Sequence, residues 1–352
     1  MHSTLPTRRH YPFVTRMIAR LYDEGRLPEV AAVEIEPEYG YVTRITYRNG
    51  RHRMTRASDV GLNSAAACEV VRDKAYTKHF LRRWGYDCPA GEAFLLGWWA
   101  DRLRPRLREH GTTDVRSADR VLAYVADELG YPVYVKPVDG SKGVLVWYCD
   151  TPALVERVLA LYEAERVRVA VVERAVELPD FRLVVLDDTL ISAYQRLPLE
   201  VVGNGHASIG ELLGMLQVAF RRAGRDTSLT LDDGRIATRL QRSGLTLDSV
   251  PAPGRRVPLL DVSNLSTGGT AVDLTATVAP RWRDLAIDIA RQFGLRFCGV
   301  DLACADLESG AGGYSVIEVN GTPGLDHYGA VGAAQERVVS DLYARVLNTS
   351  PE

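Results

Sequence analysis

The sequence is short of the features that mark a disulfide scaffold, a zinc module or a membrane protein. Its five cysteines, Cys68, Cys88, Cys149, Cys298 and Cys304, are odd in number and include no Cys-x-x-Cys pair. Both points argue against a disulfide framework and a zinc site, and for free thiols in a reducing compartment. Cys298 and Cys304 lie in apolar segments and read as packing residues. Neither sign of charge dominates. Forty-three Lys and Arg stand against 45 Asp and Glu, net −2, so nothing electrostatic favours nucleic acid or an anionic membrane. No apolar run approaches the roughly 20 residues that span a bilayer, and the first residues lack a secretory apolar core. A cytoplasmic protein is expected. Repeats, low-complexity tracts and long linkers are also missing, and 352 residues of ordinary composition leave room for two or three modules around a substantial core.

Periodicity then places the elements. Thr15–Glu24 has helical spacing and Gly25 stops it. Val30–Arg56 reads as strands, with alternation over Val42–Tyr47 and the hairpin signal Asn49-Gly50. This front section is a small α+β piece without a glycine fingerprint or catalytic cluster. Cys68–Trp84 is expected as one helix ended by Gly85, and Phe94–Trp99 as an apolar run. Arg102–Arg116 is very basic and expected to be solvated, because it lacks the interleaved aromatics of a nucleic-acid stacking platform. Helices are expected at Ala118–Leu129, Pro152–Ala164, Ile209–Ala223, Pro280–Phe293 and Ala333–Leu347. Strands are expected at Tyr131–Pro137, Val144–Tyr148 and Val167–Glu173, and a hairpin at Phe181–Leu186 with Leu190–Tyr194. Gly224–Val262 is polar, and periodicity does not resolve it.

Chemistry concentrates near the C-terminal end. Val300-Asp301-Leu302 and Ser315–Asn320 are short apolar strands carrying acids, joined through the glycine-rich turn Gly310–Gly313. Paired as a hairpin, they bring Asp301, Glu318 and Asn320 to one edge. These hard oxygen donors suit Mg²⁺ shared with substrate phosphates. The alternative is a core hairpin with acids at its wet ends, but acids inside apolar strands are costly without partners. Gly140-Ser141-Lys142-Gly143 lies between two apolar strands, where glycines let backbone amides approach a phosphate; it reads equally as a hairpin turn, and its spacing is not that of a Walker A loop. Lys74, on a helix, and Lys136, near a strand end, need an anion in such apolar settings. Val171–Val176 is a strand running into a linker that can offer backbone groups to adenine. Asp180, seven residues after Glu173, can accept from ribose hydroxyls. Asn264–Thr270 is either a donor-rich loop for an oxyanion or a capped β-turn.

The fixed order of these sites, helix lysine, strand lysine with glycine loop, linker acids, then acid and Glu-x-Asn hairpin, resembles the ATP-grasp superfamily, in particular the ATP-grasp region of cyanophycin synthetase-like ligases. The likeness covers about 64–347 and is carried by Asp73–Lys78, Val202–His206, Gly244–Pro251, Asn264–Thr270 and Val316–Leu325. It implies an α+β fold with two lobes clasping ATP after a small N-terminal section. The expected divisions are 1–63, that section; 64–115, the first part of the ATP-grasp region; 116–176, the lid subdomain with the glycine loop; and 177–352, the C-terminal subdomain with the metal site. By the resemblance Lys74 and Lys136 hold ATP phosphates, and Gly140, Ser141, Lys142 and Gly143 cover them. Glu173, with the backbone of Arg174 and Val176, sits at the adenine, and Asp180 at the ribose. Asp301, Glu318 and Asn320 ligate Mg²⁺, expected as two ions, with Mn²⁺ able to substitute. Arg182 and Arg196 lie near the γ-phosphate or an acyl phosphate. Ser266, Thr267, Gly268, Gly269 and Asp326 face substrate or phosphate.

The implied activity is ATP-dependent joining of a carboxylate to an amine, on amino acids or small peptides, by a homo-oligomer expected as a dimer. Two departures from the family qualify this. No Mur-ligase-like domain follows Leu347, so a stand-alone ligase is expected rather than alternating two-site polymerisation. Asp326 stands where relatives carry a basic residue; it reads either as a holder of a substrate ammonium or as a solvated turn residue. An ATP-grasp kinase and a non-enzymatic nucleotide-binding regulator are the alternative functions.

Overall fold

The computed structural model describes residues 10–111, 116–140, 142–222, 225, 227 and 231–351. Ser141 therefore lies outside the described residues. Two larger antiparallel sheets organise the fold. A four-stranded sheet runs Gly91–Leu95, Val169–Arg174, Val133–Pro137, Trp147–Cys149 in spatial order. Its core, around Val135, Val155, Tyr162 and Val172, is covered by the helix Pro152–Ala164. A five-stranded sheet runs Thr270–Asp273, Thr189–Leu197, Asp180–Leu186, Phe297–Cys304, Tyr314–Asn320. The helix Pro280–Gln292 packs on it through Trp282, Ile289 and Ala290.

The front section does not stand apart. Its helix Phe13–Asp23 and three-stranded sheet (Val30–Ile35, Val42–Tyr47, His52–Arg56) share one apolar core with the closing helix Ala333–Asn348 and with Tyr194, Phe297 and Tyr328 of the larger sheet and the turn beyond it. Arg53 donates to the carbonyls of Val346 (2.8 Å) and Thr349 (2.6 Å), and Arg26 pairs with Asp341 at 2.6 Å. Chain beginning and chain end thus form one wall.

Several expected elements change shape. Cys68–Trp84 is two helices, Ala65–Arg72 and Lys74–Arg83, because Asp73 is extended and its carboxylate caps the second by accepting from the Ala75 and Tyr76 N–H groups. The Lys74 N–H then reaches the Val138 carbonyl at 3.0 Å, which docks the second helix beside the strand that carries Lys136. Phe94–Trp99 splits into the end of a strand and the start of the helix Gly97–Glu109, which takes up much of the basic run. Ala118–Leu129 winds from a 3₁₀ turn through one α-turn into a π-turn. The stretch before Val262 that periodicity leaves open contributes its described residues to a separate small unit within 199–262. It has the two-stranded sheet Glu200–Val202 and Arg256–Pro258, the helices Ile209–Arg222 and Gly234–Arg242, and its own core around Ile209, Leu213, Ile236 and Leu240. Among the described residues no helix is long and apolar enough to cross a membrane.

Candidate active site

All eight residues of Phe297–Cys304 are buried, because this strand lies between Asp180–Leu186 and Tyr314–Asn320. Register decides which polar groups meet there. Asp301 lies opposite Glu318 on one side and Arg182 on the other; Gly299 faces Asn320, and Asp180 faces Arg196. Asp301 is 2% exposed. Arg182 holds it bidentately, Nε to Oδ1 at 2.6 Å and Nη2 to Oδ2 at 2.8 Å. Arg196 Nη2 reaches both oxygens of Asp180, at 2.7 and 2.8 Å, and Asp301 Oδ2 at 3.0 Å. Burial pushes the Asp301 carboxyl up, but the two guanidinium groups outweigh it and hold the acid below its ordinary value. For Asp180 burial wins over Arg196, and the Asp301 charge adds to it, so its carboxyl is raised.

Facing this network is a cluster of lysines. Glu173, on the strand Val169–Arg174, is almost fully buried between Lys78 on one oxygen and Lys136 on the other. Burial lowers both lysines, Lys136 to about 8, with Lys74 adding to the fall and Glu318 opposing it. Lys78 is lowered further, by burial and then by the neighbouring Lys136. Lys74 reaches from the glycine loop to the hairpin. Its Nζ donates to the Gly140 carbonyl at 2.7 Å and stands 3.6 Å from Glu318 Oε1.

The donor set on the hairpin fits a hard cation. Asp301 and Glu318 are directly opposed, and Asn320 is two residues along the same strand face. Asp301 accepts three N–H donors, which leaves a lone-pair site of about four free. The Asn320 Nδ2 is buried without a partner among the described residues, and the oxygen of the same amide is the atom of the kind a hard cation takes. No cluster of three His, Cys, Asp or Glu able to hold a metal occurs among the described residues; here the third donor is an amide.

At the linker, the Arg174 N–H is taken by the Ala90 carbonyl (2.8 Å) and its side chain turns to the Leu129 carbonyl (2.9 Å). Among the described residues the Val176 N–H has no acceptor, which leaves it available to a base edge. The Asn264–Thr270 stretch is partly the capped turn that was the alternative reading. The Thr267 hydroxyl donates to the Asn264 carbonyl at 3.0 Å, and Gly268 takes φ 97°. Ser266, however, faces the glycine loop, its Oγ 3.5 Å from the Lys142 carbonyl, and Gly269 is backed by Arg225. Asp326 opens a short helix with His327 Nε2 3.6 Å away. Tyr328, two residues on, stacks on Tyr194 at 4.7 Å and donates to Asp273 at 2.9 Å.

Asp180, Arg182, Arg196 and Asp301 therefore form one bonded network, Lys78, Lys136 and Glu173 a second, and Lys74, Gly140 and Glu318 a third, while Asp326 makes no direct bond to any of them among the described residues. Lys78 was missed by the sequence reading. The available signal was its spacing: like charges one helical turn apart repel, unless a carboxylate or an anion lies between them.

Comparison with known proteins accords with this geometry. Residues 261–336 match the RimK-like ATP-grasp domain. The chain is 30% identical over 287 residues to the cyanophycin synthetase of Trichormus variabilis, covering 78% of this chain and 29% of that protein. It is 28% identical over 266 residues to the glutathione biosynthesis bifunctional protein GshAB of Streptococcus mutans, covering 73% of this chain and 32% of that one. It thus spans about three tenths of the length of these relatives. Among solved structures, the bifunctional glutathione synthetase from Pasteurella multocida superposes with a TM-score of 0.56 at 22% identity, over 96% of this chain and 44% of that one. The chain thus has the ATP-grasp fold and carries a RimK-like ATP-grasp domain over residues 261–336.

Proposed function

We propose that the protein is an ATP-dependent carboxylate–amine ligase that forms an amide bond between amino acids or small peptides and releases ADP and phosphate. The observation that carries this is that Lys78 and Lys136 meet on Glu173 while Lys74 stands 3.6 Å from Glu318, whose strand pairs with that of Asp301. Buried lysines in excess of acid favour a polyanion, and an acid left over at the hairpin favours its cation.

In this reading the lysines hold the ATP phosphates, Val176 offers its N–H to the adenine, and Asp180 lies toward the ribose. Asp301, Glu318 and Asn320 hold Mg²⁺, which neutralises phosphate charge when bound. Arg182 and Arg196, fixed by Asp301 and Asp180, present charge to the transferring phosphoryl group and to the acyl phosphate made when the substrate carboxylate takes it. The amine then attacks the acyl carbon and phosphate leaves. No side-chain nucleophile is needed; the chain positions, stabilises charge and excludes water. Two metal ions, a dimer and a cytoplasmic setting belong to the same reading, the last supported by the five unpaired cysteines. The names of the relatives favour a ligase over a kinase, since cyanophycin and glutathione syntheses both form amides.

The test is ADP release with Mg²⁺-ATP over a grid of amino-acid pairs, with mass spectrometry of each positive well. A condensed product matching ADP one for one is expected. Release with only a phosphorylated product would sink the ligase in favour of the kinase.

A further inference from the structure

The 199–262 unit is absent from the chemistry just described, yet it grips the glycine loop. Asp233 caps the helix Gly234–Arg242 by accepting from the Arg235 N–H, and the same carboxylate holds the Arg235 guanidinium, Nε at 2.9 Å and Nη2 at 2.6 Å. So fixed, Arg235 Nη1 donates to the Gly143 carbonyl. Three further contacts dock the unit on the lid sheet: Arg157 to Thr238 at 3.0 Å, the Tyr134 hydroxyl to the Asp261 carbonyl at 3.0 Å, and Arg242 over the Tyr148 ring at 4.4 Å.

The loop itself is held in a form it would not keep unaided. Lys142 and Leu145 have φ near 57°, unusual for residues with a Cβ, and Gly143 has φ 69° with no room for a Cβ beside Asn264. Such backbone persists only where its surroundings over-determine it. A trans peptide points its C=O and N–H opposite ways. Pinning the Gly143 carbonyl to the unit therefore turns the Val144 N–H away from it.

We propose that the 199–262 unit latches the nucleotide loop, with Arg235 as the positioning residue that sets the Lys142–Val144 backbone. This rests on the ligase reading, in which that backbone meets ATP.

The test compares wild type, Arg235→Ala and Arg235→Lys by amide hydrogen exchange over 142–148 without nucleotide, and by calorimetric binding of Mg²⁺-ATP. In Arg235→Ala, exchange over 142–148 is expected to quicken at least tenfold, with the Phe297–Cys304 and Ala333–Asn348 segments unchanged, and ATP affinity to fall about tenfold. Arg235→Lys, which keeps the charge but not the fork, is expected to show most of both effects and covers the case in which the alanine variant does not fold. Unchanged exchange in a folded variant overturns the latch whatever ATP does. Faster exchange with unchanged ATP affinity overturns it as a nucleotide device. If wild type itself does not bind Mg²⁺-ATP, the ligase reading falls, and the latch's role with it, while the exchange data still report whether Arg235 holds the loop.

Discussion

Two buried charge clusters face each other across the site, and they are built differently. On the hairpin side, two arginines meet two aspartates in fork-on-carboxylate geometry. Planar guanidinium groups and strand register fix that network before any ligand arrives. On the lid side, lysines on a helix and a strand crowd one glutamate, and their charge is pushed down by burial. A satisfied network supplies geometry; an over-charged one supplies affinity for an anion. Glu318 belongs to neither balance. It is the acid left over beside Lys74, and it should matter most to turnover and least to folding.

That gives the largest expected effect. Glu318→Ala should lower ADP release with a productive substrate pair by at least about 10³-fold, while thermal melting stays near wild type. Wild-type turnover would remove Glu318 from the metal site.

Asp301→Asn sharpens the contrast from the other side. It strips the charge that holds Arg182 and leaves that buried guanidinium group without a carboxylate, while Arg196 keeps Asp180. Breaking a buried pair costs about 3–5 kcal/mol, so denaturant unfolding should show a large loss of stability as well as lost turnover. A variant with a wild-type midpoint would mean Arg182 finds another acceptor, and that the network is less pre-set than its geometry indicates.

Lys78→Met tests the lid side. Glu173 keeps Lys136, so a neutral pair remains and stability should change by no more than about 1 kcal/mol. Mg²⁺-ATP affinity should nevertheless fall roughly tenfold, the worth of one charge-assisted contact. Unchanged affinity would reduce Lys78 to a partner for Glu173 alone.

The hairpin was legible in the sequence, because period-2 alternation fixes which residues share a face, and a glycine turn fixes that the strands pair. Asp301, Glu318 and Asn320 follow from that directly. The arginine forks were not legible as contacts: Arg182 meets Asp301 only because Asp180–Leu186 inserts beside Phe297–Cys304, a pairing across more than a hundred residues. The break at Asp73 was readable as an N-cap signal, yet the apolar spacing on both sides of it reads as one helix. In the 199–262 unit only the long helix Ile209–Arg222 was legible, because its strands are three residues long and the sequence after that helix is polar. Short elements carry too few periods to stand out, and the role of Arg235 depends on where that unit docks.

The smallest expected effect is also the one whose sign separates the two clusters. Burial lowers Lys136 from 10.5 to about 8. Between those values the unfolded chain holds the proton and the folded chain does not, so stability rises with pH across that window; below about 8 both hold it and the pH dependence vanishes. Its contribution to phosphate binding runs the other way, since only the charged lysine attracts the anion. From pH 7 to 9 the affinity for Mg²⁺-ATP should weaken a few-fold, roughly tenfold at most. The decline should set in near pH 8. Lys136→Arg, which keeps its charge throughout, should flatten the profile even if the larger side chain lowers affinity overall. In the arginine network Asp301 is held below its ordinary value and the guanidinium groups are raised above theirs, both away from this range, while Asp180 is raised by burial. A pH profile that persists in Lys136→Arg would pass the titration to another shifted group, Lys78 or Asp180 first.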